Sequence, residues 1–387
     1  MKEEETMNKQ TAMDRRTFLK AAAAAGVGSM FIAPTRAVVY GQPQKAPGKV
    51  WTMKYDCYIG ATAPTAQLDN WYIDTVAERS KGRVKFEKYW ASSLHKVGEH
   101  LQAVRDGLSE MSLISYGYYP AMVPLSRGLE WYFMGCDHAD TLLKVCRDVY
   151  ETYPPLKEEW EKKNNCKVLY FTNWDYCPLF MKKPVTKVEE LKGLKIRGYG
   201  VGAETVDRMG GRGMPVVAAE VYQSLERGIL DGVFAFCFIT AEKMKLYEQA
   251  PNIIEIGSGA HAPTTVVMNF DLWKSLPDDL KAIFQKTADD VYNWKYLELY
   301  TKLLEESLDV MIKGGSKFTK WPDAEIKKAT SMVQPAQVNA CAEKVAKPAG
   351  FNGAEFLDRV RKLIAKYEPE GKLKNPYEIY MAKYGKK

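Results

Sequence analysis

An α/β protein of two lobes, with one long helix running along both, is what this sequence predicts. Three observations carry that expectation. Strand-like and helix-like patterns alternate from Trp51 to Ser115, as in β-α-β units built on a largely parallel sheet. The chain has 387 residues, more than one hydrophobic core usually serves. A helical period of apolar residues persists from Asp278 to Lys313.

The elements follow in order. After a Pro/Gly-rich lead over Gly41 to Gly48, Trp51 to Ile59 alternates like a strand. Ala66 to Ser80 reads as an amphipathic helix with Leu68, Trp71, Ile73 and Val76 inward, and Gly82 lies just past its end. Val84 to Tyr89 is a strand, Glu99 to Asp106 a short helix stopped by Gly107, and Met111 to Ser115 a short apolar strand. Asp140 to Tyr153 and Leu156 to Asn164 are helical, and the strand Lys167 to Phe171 leads into Asn173 and Trp174. Val188 to Leu191 begins a short helix, Leu194 to Arg197 is a strand, and Glu204 to Met209 and Ala219 to Arg227 are helices. Gly232 to Ile239 mixes strand and turn. Ser275-Leu276-Pro277-Asp278 caps the long helix, which at 1.5 Å per residue reaches on the order of 50 Å. Polar residues interleave along it, so it is not a membrane span. Helices over Asp323 to Val345 and Ala354 to Lys366 follow, and the aromatic, basic segment Asn375 to Lys387 is expected to pack loosely outside.

Composition narrows the function. The chain is 46% hydrophobic and 27% charged, with a net charge of +7 and no basic run of the kind that marks a nucleic-acid surface. The front segment carries Asp14-Arg15-Arg16-Thr17-Phe18-Leu19-Lys20, an alanine-rich stretch, and small residues at Thr35 and Ala37. That order reads as a twin-arginine export signal over residues 1–37. Its apolar run is shorter than the about 20 residues that span a bilayer, and no second long apolar segment exists, so no direct membrane insertion of the mature protein is expected. Seven cysteines show no CxxC, four histidines no HExxH, and Gly210-Gly211-Arg212-Gly213 lacks the Lys-Ser/Thr of a phosphate loop. No metal and no cofactor is expected.

The middle of the chain resembles the extracytoplasmic solute-binding subunits of TRAP transporters. Val185-Thr186-Lys187-Val188-Glu189-Glu190-Leu191-Lys192-Gly193-Leu194-Lys195-Ile196-Arg197 is similar to the family's DLKGLKIR segment. Glu220-Val221-Tyr222-Gln223-Ser224-Leu225-Glu226-Arg227-Gly228-Ile229-Leu230-Asp231-Gly232 is similar to its EVYxALxxGxxDG. His261 and the stretch Met268 to Pro277 follow in family order, so the resemblance spans about residues 50 to 320. It implies a two-lobed periplasmic binding protein fold. Lobe I would hold 38–173 plus about 262–300, and lobe II 174–261 plus about 301–387. It implies capture of a small organic acid between the lobes and delivery to membrane permease subunits driven by an ion gradient. The location would be the periplasm, reached by the twin-arginine route.

The resemblance gives Arg197 the carboxylate clamp, since a guanidinium holds a carboxylate through two parallel charge-assisted bonds. Around it, Asn173 and Trp174 end a strand near the lobe crossing, Tyr116 and Tyr118 end another, Tyr199 follows the clamp, and Phe236 sits in an aromatic stripe with Phe234 and Phe238. These are the candidate ligand-binding residues, and none is a catalytic candidate. A hinge-packing Trp174 and a core stripe at Phe234 to Phe238 are the competing readings. His261 is expected as a buried hydrogen-bonder, and Asp175 as a solvated loop residue. A second arginine that many relatives carry is missing from Asp175-Tyr176-Cys177-Pro178. The aromatic substitutions favour a monocarboxylate with an aromatic or apolar body. Two alternatives stay open: a periplasmic enzyme exported by the twin-arginine route, or the binding subunit of an ATP-driven importer or chemosensor. No nucleophile–base pattern supports the enzyme.

Overall fold

The computed structural model describes residues 49–261, 263–347 and 350–385, so the export segment read at 1–37 lies outside them. Eleven strands form two sheets among the described residues. They are β1 (Trp51–Asp56), β2 (Val84–Tyr89), β3 (Met111–Ser115), β4 (Cys166–Asn173), β5 (Leu179–Met181), β6 (Lys195–Arg197), β7 (Arg212–Met214), β8 (Gly232–Val233), β9 (Asn252–Glu255), β10 (Pro263–Asn269) and β11 (Lys317–Lys320). The first sheet runs β2-β1-β3-β10-β4 and the second β11-β9-β5-β8-β6-β7.

The sheets are less uniformly parallel than the β-α-β pattern implies. β10 lies antiparallel to both β3 and β4, and β5 lies antiparallel to both β8 and β9. Each reversed strand is the first after a crossing. The chain leaves β4 for β5 in the second sheet and returns from β9 to β10 in the first, arriving against the prevailing direction. All seven residues of β10 are buried, as a strand with a neighbour on each side and cover on both faces requires.

The long helix forms over Asp278–Lys313, with one wider turn at Val291–Lys295 between two regular segments. Its first half rests on the helix Pro64–Arg79. There Tyr72 Oη donates to Phe284 O at 3.0 Å and Arg79 pairs with Asp290 at 2.7 Å. Its second half reaches the helix Phe238–Lys243, where Ser307 Oγ bonds Glu242 at 3.3 Å. It therefore runs along both lobes. In the helix Pro64–Arg79 the buried aromatic is Tyr72, while Trp71 is half-buried against Trp294.

The C-terminal segment departs from the expected partition. The helix Gly353–Tyr367 packs on the helix Ala139–Thr152 beside the first sheet. Asp140 accepts the amides of Lys372 at 3.1 Å and Leu373 at 3.0 Å. The last helix, Pro376–Tyr384, is docked and not loose. Asn375 and Glu378 close a reciprocal cap on it, Ile379 is buried, and Tyr377 and Tyr380 lie on Phe318 at 5.5 and 5.6 Å.

Candidate functional site

Several strands end at one cavity of about 420 Å³. Tyr58 follows β1, Tyr118 follows β3, Trp174 follows β4, Arg197 closes β6, and Phe236 follows β8. Carboxyl ends of strands are where open α/β sheets collect ligands.

Arg197 is the centre of this site. Its backbone is fixed in the second sheet: Phe234 N donates to Arg197 O at 2.8 Å and Gly198 N to Met214 O at 3.0 Å. Glycines let the following turn close over it. A Cβ on Gly198 would meet Ala203 N at 2.5 Å, and one on Gly202 would meet Ala235 Cβ at 2.3 Å. The side chain is 6% exposed. Nε donates to Val216 O at 3.0 Å and Nη1 to Ala235 O, which orients the fork. The guanidinium lies 5.0 Å from the Phe236 ring centre. Among the described residues no carboxylate pairs with it. Its electrostatic neighbours are Tyr132, Cys177, Cys237 and Tyr118, and burial pushes its pKa down. A desolvated cation held by two carbonyls, with no carboxylate beside it among the described residues, can pair with one that enters.

The structure sorts the residues expected around it. Trp174, Tyr118, Tyr199 and Phe236 line the cavity with Arg197. Tyr118 and Tyr199 are exposed at its mouth, and Trp174 is half-buried behind Tyr58, ring centres 6.2 Å apart. Asn173 is not on the wall: its side chain accepts from Tyr296 Oη and its carbonyl from Tyr300 Oη at 3.0 Å, so it ties β4 to the long helix. Tyr116 is also off the wall, fully buried with its ring 6.0 Å from Trp160, because the turn Tyr116–Tyr118 sends only its last tyrosine to the cavity.

The Phe234, Phe236 and Phe238 stripe does not share one strand face. β8 ends at Val233, Ala235 takes a positive φ of 54°, and Phe238 opens a helix. Phe234 packs on Tyr132 and Phe238 on Phe318, leaving Phe236 to the cavity. Asp175 is fully buried, not solvated. Its carboxylate accepts the Phe238 amide at 2.7 Å and the Ile239 amide at 3.3 Å, which satisfies the free N–H groups at that helix start.

Two cavity residues had no signal in the sequence pattern: Arg127 and Glu130 enter from the first-sheet side as an ion pair at 3.5 Å. Glu159 places Arg127 by accepting the Leu125 amide at 2.7 Å and the Ser126 amide at 2.9 Å. Burial pushes the Glu130 carboxyl up to about 7, outweighing the pull of Arg127. His261 is buried under the Tyr132 ring at 4.2 Å and approaches Gly259 O at 3.3 Å. Cys177 and Cys237 complete the wall.

A wider groove of about 610 Å³ runs along the long helix, but its charges are mutually paired: Lys383 with Asp309 and Glu305, Lys302 with Glu306. Among the described residues no cluster of three His, Cys, Asp or Glu is arranged to hold a metal ion. No described helix is long and apolar enough to cross a membrane.

With that geometry in place, likeness to known proteins adds direction. The family of bacterial extracellular solute-binding proteins, family 7, matches residues 64–344. A monocarboxylate 2-oxoacid-binding periplasmic protein of Nostoc sp. is 26% identical over 359 residues, covering 88% of this chain and 91% of the relative. An open TRAP periplasmic solute-binding protein of Desulfovibrio salexigens superposes with a TM-score of 0.73 at 24% identity, over 85% of this chain and 99% of that one. A TRAP solute-binding protein of Rhodoferax ferrireducens, in complex with copurified benzoate, gives a TM-score of 0.71 at 20% identity, over 83% and 99%.

Proposed function

We propose that this chain, which belongs to the bacterial extracellular solute-binding proteins of family 7, uses Arg197 to capture a monocarboxylate with an aromatic or apolar body and delivers it to an ion-gradient-driven TRAP permease. It is a TRAP-type solute-binding protein for small organic acids and not an enzyme. In this reading residues 1–37 export it to the periplasm by the twin-arginine route.

One observation carries the ligand assignment: a buried guanidinium, oriented by two carbonyls, that has no carboxylate among the described residues. A ligand carboxylate supplies the missing anion. The rest of the wall selects the body. Trp174, Phe236 and Tyr58 offer ring faces, and each Å² of apolar surface they bury contributes roughly 25 cal/mol. A hydroxyl buried there without a partner costs about 1 to 3 kcal/mol, which disfavours sugar acids. Arg127 already faces Glu130, so a second carboxylate finds no free cation. The Nostoc relative's 2-oxoacids and the benzoate of the Rhodoferax protein are both of the class this wall accepts.

Mass spectrometry of small molecules released from freshly purified, denatured protein tests the class directly. A thermal-shift panel of aromatic and aliphatic monoacids, dicarboxylates and sugar acids complements it. Stabilisation by monoacids is expected. Stabilisation by dicarboxylates or sugar acids alone overturns the pocket reading.

A further inference from the structure

We propose that Cys177 and Cys237, facing each other on the cavity wall beside Arg197, form a dithiol that a small disulfide donor converts to an intramolecular disulfide, and that this conversion tightens carboxylate binding. The second half rests on the reading of Arg197 as the anion site; the first half does not.

The two cysteines are 60 residues apart in sequence and meet at a crossing of two segments. Phe238 N donates to Tyr176 O at 2.8 Å, which sets residues 177 and 237 opposite each other as in an antiparallel pair. The companion bond of such a pair would come from the N–H of residue 178, which is a proline and has none. Residues so opposed hold their Cα atoms about 4.5 Å apart, within the roughly 4.4 to 6.8 Å that a disulfide bridges. Cys237 and His261 are among the electrostatic neighbours of the Cys177 sulfur. Both line the cavity, so a small reagent reaches them without unfolding the chain.

Their reactivity is unlike that of the other thiols. Burial pushes Cys177 up, but Cys237, His261 and Arg197 together hold it below the usual thiol range. The other six cysteines are all shifted upward. Cys177 is therefore the nucleophile. Its thiolate attacks one sulfur of a donor R–S–S–R, forming a mixed disulfide and releasing RS⁻. Cys237 gives its proton to that RS⁻ and attacks Cys177 Sγ, closing the ring and expelling a second RS⁻. Two cysteines are oxidised by two electrons, and the donor is reduced to two thiol equivalents. The departing RS⁻ carries off the negative charge that Cys177 held. Arg197 and His261 then lose their anionic neighbour, and an incoming carboxylate no longer competes with it.

The test uses the folded mature protein, incubated with hydroxyethyl disulfide or with dithiothreitol, alkylated with iodoacetamide and mapped by peptide mass. After the donor, one cross-linked species joining the peptides of Cys177 and Cys237 is expected, reversed by dithiothreitol, with the remaining cysteines alkylated on denaturation. Recovery of both peptides as alkylated species overturns the site, as does a cross-link from either cysteine to another. Calorimetry with benzoate and pyruvate as probes reads the consequence: about tenfold tighter binding by the oxidised form, and no response to the donor in a Cys177→Ser, Cys237→Ser double variant. Equal affinities in both forms overturn the effect on binding. If neither probe binds either form, the ligand reading and the affinity effect fall together, while the disulfide still stands or falls on the peptide map.

Discussion

Arg197 reaches the cavity from a strand and Arg127 from a short helix, and among the described residues only Arg127 has an acid beside it. Arg127 faces Glu130 at 3.5 Å, on a short helix whose start is held by the Glu159 carboxylate. Arg197 is held by two backbone carbonyls and packed against Phe236, with tyrosine hydroxyls and thiols as its other neighbours. Carbonyls fix a guanidinium's direction without cancelling its charge. Among the described residues a carboxylate therefore compensates one charge and none compensates the other. Two like residues in one pocket carry different tasks because their partners differ.

The strongest way to break this contrast is to remove the uncompensated charge. Arg197→Ala should weaken benzoate binding by roughly 2 to 5 kcal/mol. Arg197→Lys should also bind poorly, since an ammonium cannot make the two-pronged contact. The melting temperature without ligand should stay level or rise slightly, because the variant no longer buries an unpaired cation. An affinity within a few-fold of the wild type, measured by calorimetry, removes Arg197 from the site.

A milder intervention makes the two arginines alike. Glu130→Gln takes away Arg127's acid and should raise affinity for a dicarboxylate such as succinate about tenfold, with a smaller change for benzoate. An unaltered ligand profile shows that Arg127 does not reach the ligand. The same variant has a pH signature. Burial raises the Glu130 carboxyl to about 7 in the folded protein, against about 4.3 in an unfolded chain. A raised acid gives its stabilisation fully below the unfolded value and loses it as pH rises through 7. Thermal melts should therefore show wild-type stability declining between about pH 4.5 and 7 relative to Glu130→Gln. Parallel curves would mean that Glu130 does not titrate there.

The smallest effect is expected at the mouth. Tyr199 is 48% exposed, so Tyr199→Ala should cost about fivefold in benzoate affinity, and Tyr199→Phe less than twofold. Equal losses in both would make the hydroxyl, and not the ring, the contact.

Much of the architecture was readable because period and punctuation report on burial. The long helix announced itself through its apolar spacing, and the motif pointed to Arg197, which lines the cavity. What escaped was the pairing of distant segments. Asp175 looked solvated because it is charged and in a loop, yet it meets helix amides 63 and 64 residues away. Asn173 sits one residue from the wall position Trp174, and Tyr116 lies between two wall positions, Ser115 and Gly117, so a single turn decides which side chain faces the cavity. A second cationic side chain does reach the cavity, from Arg127 and not from the Asp175 to Pro178 stretch. No local spacing could have shown it, since its position depends on the carboxylate of Glu159, 33 and 34 residues from the amides it holds.

The position of β10 has a consequence for how the polypeptide becomes a protein. This strand fills the middle of the first sheet, between β3 and β4, yet it is synthesised after nine strands of the eleven, five of them belonging to the other sheet. Until residue 269 has emerged, β3 and β4 have open inner edges and no common neighbour. The N-terminal two-thirds of the chain therefore cannot mature as a finished unit while the rest is being made. Gene fragments cut at residue 261 would yield sticky edges instead of an isolated lobe, and the two halves must complete one another in a late, long-range step.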